Sequence, residues 1–441
     1  LAGVAVESTI GVANVGSLVE RWRGSGPVTS LYDSPVVAGG RVYSAAAVYG
    51  VNGGSACAGE PAVCAPQWQL PPLAQGGLTN PTTVAGGRQY RLPRDYRDGS
   101  LSAFDAAGVE GCGGTPKVCQ PVRSWSHTVP EMPGITDAVN GYTAPVVVGS
   151  TLFTGSALSG VGVDLASDAG CTGVPVTCPV SWAAPGIAPI VGTAVAGGVA
   201  YYVGMHSPPY YTGAVFALDA AGSVGCGGTP KLCQPLWTGD LGLPSDKSQA
   251  TGMPPTVVDG RVYALASWQE ISFITRVEAV VSELKVFDAA GSEGCGGTPR
   301  VCQPLWSAPL PDSTDYVWTG AAVFGGRVYV PAESGVSVFD AKGEVGCGGS
   351  PKVCAPVATL SFGSAPGTRG AVTIANGVAY VGSKDGLFAF DANLAQGCSG
   401  APAVCAPLLH TLVGASVTTP AVVAGQVHVL SDGQVVTLGL P

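Results

Sequence analysis

The chain has 441 residues, with 20 Lys and Arg against 29 Asp and Glu, for a net charge of −9. Its basic residues are scattered and never form a run, which excludes a nucleic-acid backbone as partner. No window of about 18 uninterrupted apolar residues occurs, which excludes a membrane-spanning helix, yet 46% of residues are apolar, enough for a buried core throughout.

The chain opens on an apolar stretch, Leu1-Ala2-Gly3-Val4-Ala5-Val6-Glu7-Ser8. Without a basic n-region it does not read as an intact signal peptide. Residues 1–16 are expected to form an N-terminal arm, either a leader or locally packed. The alternative is a strand added to a neighbouring molecule. The next segment, Ser17-Leu18-Val19-Glu20-Arg21-Trp22-Arg23, reads as a tryptophan-bearing strand with no strand before it.

From residue 35 onward one unit repeats. Each begins with an apolar run ending in glycine, such as Pro255-Thr256-Val257-Val258-Asp259-Gly260, read as innermost strand A. Strand B carries an aromatic at its third position: Tyr43, Tyr90, Phe153, Tyr201, Tyr263, Tyr329 and Tyr380, with His428 in the same place near the C-terminus. Strand C ends in an aspartate seven residues before a cysteine: Asp105, Asp164, Asp219, Asp288, Asp340 and Asp391, with Gly50 in the first unit. Strand D often carries tryptophan, at 68, 125, 182, 237 and 306.

The 14 cysteines fall into seven pairs of one spacing, Cys-x6-Cys. They are Cys57/Cys64, Cys112/Cys119, Cys171/Cys178, Cys226/Cys233, Cys295/Cys302, Cys347/Cys354 and Cys398/Cys405. Zinc sites use other spacings, and the four histidines stand near no such set, so no metal is expected. A hairpin closed by its own disulfide fits, because paired strand positions bring Cα atoms to bonding distance. Such a framework implies an oxidising compartment: extracellular, cell-surface or periplasmic. In the loop-entropy model each ring contributes ~2–3 kcal/mol at most, so the bridges are expected to stiffen hairpin tips without defining the fold.

Cysteine pairs recur every 51 to 69 residues, the length of a propeller blade. The last segment, from Thr419 to Pro441, supplies strands A, B and C but no D, and the Trp22 strand is a D strand without a blade. The expected fold is therefore all-β: an eight-bladed β-propeller over residues 17–441, of four-stranded antiparallel blades. The N-terminal strand completes the C-terminal blade, and seven C–D hairpins carry disulfides. Closure of this kind removes open sheet edges.

Segments such as Gly377-Val378-Ala379-Tyr380-Val381-Gly382-Ser383-Lys384-Asp385-Gly386-Leu387-Phe388-Ala389-Phe390-Asp391-Ala392 resemble the repeats of quinoprotein-type (PQQ-like) β-propellers, as does Ala214-Val215-Phe216-Ala217-Leu218-Asp219-Ala220 with Pro235-Leu236-Trp237. The resemblance implies the fold. That family holds calcium- and quinone-dependent dehydrogenases, which use a vicinal Cys-Cys pair, and scaffold members without a cofactor. No Cys-Cys dipeptide occurs here, so no cofactor is expected.

The repeated aspartates read as turn-capping groups, the aromatics of strands B and D as packing between blades, and Arg41, Arg88, Arg261 and Arg327 as edge cover or local pairs. Departures from the repeat are better candidates for binding. His206, Tyr210 and Tyr211 lie in the B–C loop of blade 4, Trp268 and Glu270 in the long one of blade 5, and Asp315, Tyr316 and Trp318 between blades 5 and 6. Aromatics with a few carboxylates on loops can form a ligand or partner patch. No Gly-x-Ser-x-Gly motif or His/Asp set points to hydrolysis. The expected function is a non-enzymatic exported scaffold or cell-surface interaction protein, with a protein partner or self-association. The alternatives are a PQQ-dependent dehydrogenase-like enzyme and a carbohydrate- or peptide-binding module taking a small ligand or glycan.

Overall fold

The computed structural model describes residues 7–27, 33–54, 56–72, 81–92, 101–126, 144–155, 159–174, 176–187, 192–205, 213–229, 231–242, 251–271, 278–311, 319–363, 367–368 and 370–441. Among them, every regular element is a strand except one 3₁₀ turn, Val15–Ser17. The strands form eight antiparallel A–B–C–D sheets, as the repeat count requires. In blade 6, for example, A (Ala322–Phe324), B (Arg327–Ala332), C (Gly335–Asp340) and D (Ala358–Ser361) follow in order. Their register sets Ala322 opposite Tyr329, Val328 opposite Phe339 and Val338 opposite Ala358. Each A strand touches the next around the centre, and that of blade 8 (Ala421–Val423) touches that of blade 1 (Val36–Ala38), so the ring is closed.

Blade 8 is composite. Its B and C strands (Gln426–Ser431 and Gln434–Gly439) come from the C-terminus, and its D strand is Val19–Gly24. Val19 stands opposite Gly439 and Arg23 opposite Val436. The repeated apolar residues are buried between neighbouring sheets. Tyr201, Val203 and Trp237 of blade 4, for instance, share one cluster with Val262, Ala264 and Phe287 of blade 5.

All seven disulfides form as the spacing predicts, with Cα atoms 3.9–4.1 Å apart. They lie between strands C and D, as expected, but the hairpins make a contact that the spacing does not reveal. Each hairpin leaves its own blade and pairs in parallel with the D strand of the preceding one. In the contact of blade 7's hairpin with blade 6, Ala358, Thr359 and Leu360 stand beside Ala403, Val404 and Cys405. The backbone N–H of Ser307 donates to Lys352 O at 3.0 Å, and that of Thr238 to Arg300 O at 3.0 Å.

The expectation that these bridges only stiffen exposed hairpin tips is therefore corrected. The first cysteine of each pair is half-buried, but the second is buried in the joint: Cys64, Cys119, Cys178, Cys233, Cys302, Cys354 and Cys405 are each at most 3% exposed. Parallel pairing lays the second strand of the hairpin along the neighbouring blade, and its cysteine then joins that blade's core. Cys64 packs in the cluster of Trp22, Cys119 with Trp68, and Cys178 with Trp125. Cys233 likewise joins Trp182, Cys302 joins Trp237, and Cys354 joins Trp306. Blade 6 has no tryptophan on strand D, and there Cys405 packs with Ala358, Leu360 and Phe362.

The hairpins are clasps between blades, and they occupy D edges that would otherwise be open to a foreign strand. Seven hairpins serve eight D strands. The one left over is that of blade 7 (Leu409–Thr411), because the missing C–D connection is the one between the chain's two ends.

At that place the N-terminal segment stands in. The Glu7 carboxylate accepts from the N–H of Gly425 at 2.7 Å and of Ile10 at 3.1 Å. Asn376 Nδ2 donates to Ile10 O at 2.9 Å. Ile10, Val15 and Leu18 are buried with Leu409, Val413 and Tyr380.

One glycine shows how close the blades approach. Gly291, at φ +64°, lies so near the indole of blade 4's D strand that a Cβ would stand 2.2 Å from Trp237 Cδ1. Gly291→Ala is expected to lower stability by about 2–4 kcal/mol, from overpacking and left-handed backbone strain together. Gly113→Ala, where a Cβ meets nothing within 4 Å, should stay within about 0.5 kcal/mol. Urea denaturation of the two variants checks the contrast.

Candidate functional site

The most repeated side chains are engaged in holding blades together. In blade 5 the Asp288 carboxylate accepts from the N–H groups of Ser292 (2.8 Å) and Glu293 (3.0 Å) and from Ser292 Oγ (2.6 Å). This fixes the turn that presents the Ala289 carbonyl. That oxygen accepts from two side chains of blade 4, Tyr201 Oη at 3.0 Å and Trp237 Nε1 at 3.3 Å. The same tyrosine-to-carbonyl bond joins Tyr43 to Ala106 (2.7 Å), Tyr263 to Ala341 (3.0 Å) and Tyr329 to Ala392.

Burial opposes ionisation of Asp105, Asp219, Asp288 and Asp391, but the converging hydrogen-bond donors outweigh it and hold all four below the ordinary carboxylate value. Burial pushes Tyr263 and Tyr329 up to about 12. None of these groups is poised for proton transfer near neutrality. The repeated arginines act locally: Arg88 pairs with Glu110 (2.7 Å), Arg261 with Glu293 (3.2 Å), and the Arg41 guanidinium lies 5.3 Å from the Trp68 ring centroid.

The residues singled out as departures from the repeat were expected on the B–C and D–A loops, and for Trp268 and Glu270 this is corrected: the hairpin's strands run on past the repeat and take both residues into strand B. His206, Tyr210, Tyr211, Asp315, Tyr316 and Trp318 lie outside the described residues. For Trp268 and Glu270 the backbone is described. Both lie on strand B of blade 5 (Arg261–Ile271), which pairs with strand C (Glu278–Asp288) over eleven rungs, Trp268 opposite Val281 and Glu270 opposite Ala279. Strand B of blade 6 has six residues. At about 3.3 Å per residue, the five extra rungs carry this hairpin roughly 16 Å further.

A second departure, at the same end of blades 1 and 2, escaped the sequence reading. Asp33 is fully buried, and its carboxylate accepts from the N–H of Ser34 (2.9 Å) and of Ala45 (2.8 Å). Arg91, also buried, donates through Nη1 to Pro71 O at 2.7 Å and Ala45 O at 3.5 Å, and its guanidinium stands 4.9 Å from the Phe104 ring centroid. Burial lowers its pKa to about 10. Gln89 Nε2 donates to Ser44 O at 2.8 Å, while its Oε1 has no partner among the described residues. The available signal was polar residues at alternating core positions of strand B, Gln89 and Arg91. Asp33 holds the two ends of blade 1's first hairpin together, and Gln89 and Arg91 tie that hairpin's second end, and Pro71, to blade 2.

A groove of about 480 Å³ beneath blade 5's clasp is lined by Leu236, Trp237, Thr298 and Arg300, with Val199 at its edge. These are residues of the repeat, with no nucleophile–base pair among them. Among the described residues no three His, Cys, Asp or Glu side chains gather as a metal site, and no helix is long and apolar enough to cross a membrane.

No family description matches the chain, and no curated protein matches its sequence. Solved structures resemble it in shape. The computationally designed Ika8 protein superposes with a TM-score of 0.52 at 12% identity, over 96% of this chain and 99% of its own. BamB from Moraxella catarrhalis gives 0.54 at 13% identity, over 96% and 97%. The quinohemoprotein alcohol dehydrogenase from Comamonas testosteroni gives 0.55 at 13% identity, over 99% and 78%. At such identities the likeness is one of fold: this chain is an eight-bladed β-propeller, and its seven disulfides mark an oxidising environment, extracellular or periplasmic.

The turn aspartates give a pH dependence with a definite sign. Their folded pKa values lie below the ordinary 3.8, so their contribution is complete above the unfolded value and is lost as pH falls through the folded one. Asp288→Asn is expected to lower the Tm at pH 7 and to flatten its fall below pH 4. Melting curves between pH 7 and pH 2 check both.

Proposed function

We propose that this protein is an exported, non-enzymatic interaction scaffold of the PQQ-like repeat class, which binds its partner on the face carrying the B–C and D–A loops. The observation that carries the reading is the eleven-rung hairpin of blade 5. It is the largest departure from the strand repeat among the described residues. The repeated carboxylates and tyrosines support the reading too, since they are engaged in joints between blades and not in chemistry. Aromatic side chains on a rigid frame are the usual anchors of a protein or glycan interface. The disulfides support cell-surface or extracellular placement, and they fit the periplasm as well.

The test has two arms. Peptide and glycan arrays probed with the protein should give binders whose affinity falls at least about 30-fold, a loss of ~2 kcal/mol, in the variant Tyr210→Ala/Tyr211→Ala/Trp268→Ala/Trp318→Ala, with Tm unchanged. Incubation with PQQ and calcium should give no quinone absorbance band and no dye-linked alcohol oxidation. Turnover that survives purification and disappears on replacing carboxylates of the central channel would reverse the assignment.

A further inference from the structure

Seven of the eight joints are closed by covalently continuous C–D connections with disulfide clasps; the eighth is closed by the chain's two ends. Two buried polar atoms at strand-B aromatic positions lack a partner among the described residues, one in that joint and one on the far side of blade 8, beneath the N-terminal strand. Tyr380 of blade 7 is fully buried, but no carbonyl from blade 8 meets its hydroxyl as Ala392 meets that of Tyr329. Blade 8 itself carries His428 where other blades carry tyrosine or phenylalanine. Its imidazole is fully buried, Nδ1 lies 2.8 Å from Thr437 Oγ1, Nε2 has no partner, and the ring centroid is 6.3 Å from that of Trp22 on the N-terminal strand.

We propose that blade 8 is an acid-opened joint through which two copies of this chain exchange residues 7–24, the strand Val19–Gly24 of one copy completing blade 8 of the other. The geometry supplies both halves. Protonation puts a charge on an imidazole enclosed by protein and makes both ring nitrogens donors, with no acceptor at Nε2 among the described residues, which costs free energy unless the strand above it leaves. The charged groups on the elements around it are Glu20, Arg21 and Arg23 on the departing strand, Arg41 of blade 1, Glu60 of its clasp and Asp432 of the B–C turn; strands A and C of blade 8 carry none. None of them pairs with the imidazole, Arg23 being held by Glu20 at 3.0 Å. Tyr49, the other titratable group near Trp22, is pushed up by burial and stays neutral.

Once the strand leaves, strand C of blade 8 has a free edge carrying Val435, Val436 and Leu438, and the Trp22 site between Tyr49, Leu430 and Val435 is empty. The segment in the chain shaped for that edge and site is residues 19–24. Residues 25–35 tether it to blade 1, so reclosure within one copy competes at an effective concentration on the order of millimolar. Exchange is therefore favoured in concentrated protein.

His428 titrates at about 3 instead of the ordinary 6.5 because it is buried. Its contribution to closure is complete above about pH 6.5 and is lost as pH falls towards 3, so the open fraction should rise about tenfold per pH unit in that window. Glu7, whose burial is outweighed by its backbone N–H donors, is held below 4.5 and adds its own loss only at lower pH.

The probe is a fluorescent synthetic peptide of residues 7–24, added to the full chain at pH 5 or pH 8, followed by neutralisation and size exclusion with light scattering. The inference expects peptide co-eluting with protein after pH 5, about 30-fold above the pH 8 control, and dimers when concentrated protein is treated alike without peptide. It also expects hydrogen exchange at Val19–Gly24 to accelerate at pH 5 while blades 3–5 stay protected. His428→Tyr, or His428→Gln should the tyrosine not fold, should abolish the difference between the two pH values. Equal incorporation at both pH values, none after pH 5, or unchanged acid dependence in the folded His428 variant would overturn it. None of these readouts involves the loop face.

Discussion

In four of the eight joints one backbone carbonyl receives a buried tyrosine hydroxyl of the preceding blade. The oxygen of Ala289 receives the tyrosine hydroxyl of one strand and the indole N–H of another, both from the preceding blade. It stands there because Asp288 gathers the N–H groups of its own turn. A buried hydroxyl left unmatched costs about 1–3 kcal/mol, so at these four joints the carbonyl helps to fix how the blades meet. The glycine two residues on has no side chain because the indole fills the space. Aspartate, alanine, glycine, tyrosine and tryptophan thus recur together as parts of one contact.

The disulfide clasps extend the same joint outwards. A hairpin that rises from the Asp-Ala turn of one blade and pairs with the D strand of the blade before it converts a contact into a continuous sheet. Closing the hairpin on itself holds it extended, in the conformation that pairing requires, and sets its second cysteine against the core of the neighbouring blade, as Cys302 is set beside Trp237. In this way a chain with only 11% charged residues protects its strand edges without the usual lysines. It also makes the joint between the chain's ends unlike the others. There the partners are an N-terminal segment held by Glu7 and Asn376, and the hydroxyl of the central tyrosine, Tyr380, has no partner among the described residues.

The proposed binding face lies where the repeat is broken. Repetition around a ring serves architecture, since every joint makes the same demand. A binding site needs particular groups at one place. Two departures stand at the loop end of the blades: the extended hairpin of blade 5 and the buried Asp33–Gln89–Arg91 cluster between blades 1 and 2. The first projects; the second joins the two blades beneath that end.

Blade count, ring closure by Trp22's strand, and the pairing of Cys112 with Cys119 and its six counterparts were legible in the sequence, because each depends on spacing along the chain. The turn role of Asp288 was legible for the same reason, as its donors lie four and five residues away. The clasp's partner was not: Val404 meets Thr359, 45 residues earlier, and no local pattern tells which blade a hairpin will join. The burial of Cys64, Cys178, Cys233 and Cys354 went unread on the same ground, since it comes from the blade next door. Nor could the sequence tell that His428 is neutral, or that Arg91 lies buried against Phe104. Both follow from burial between blades, which only the closed ring creates.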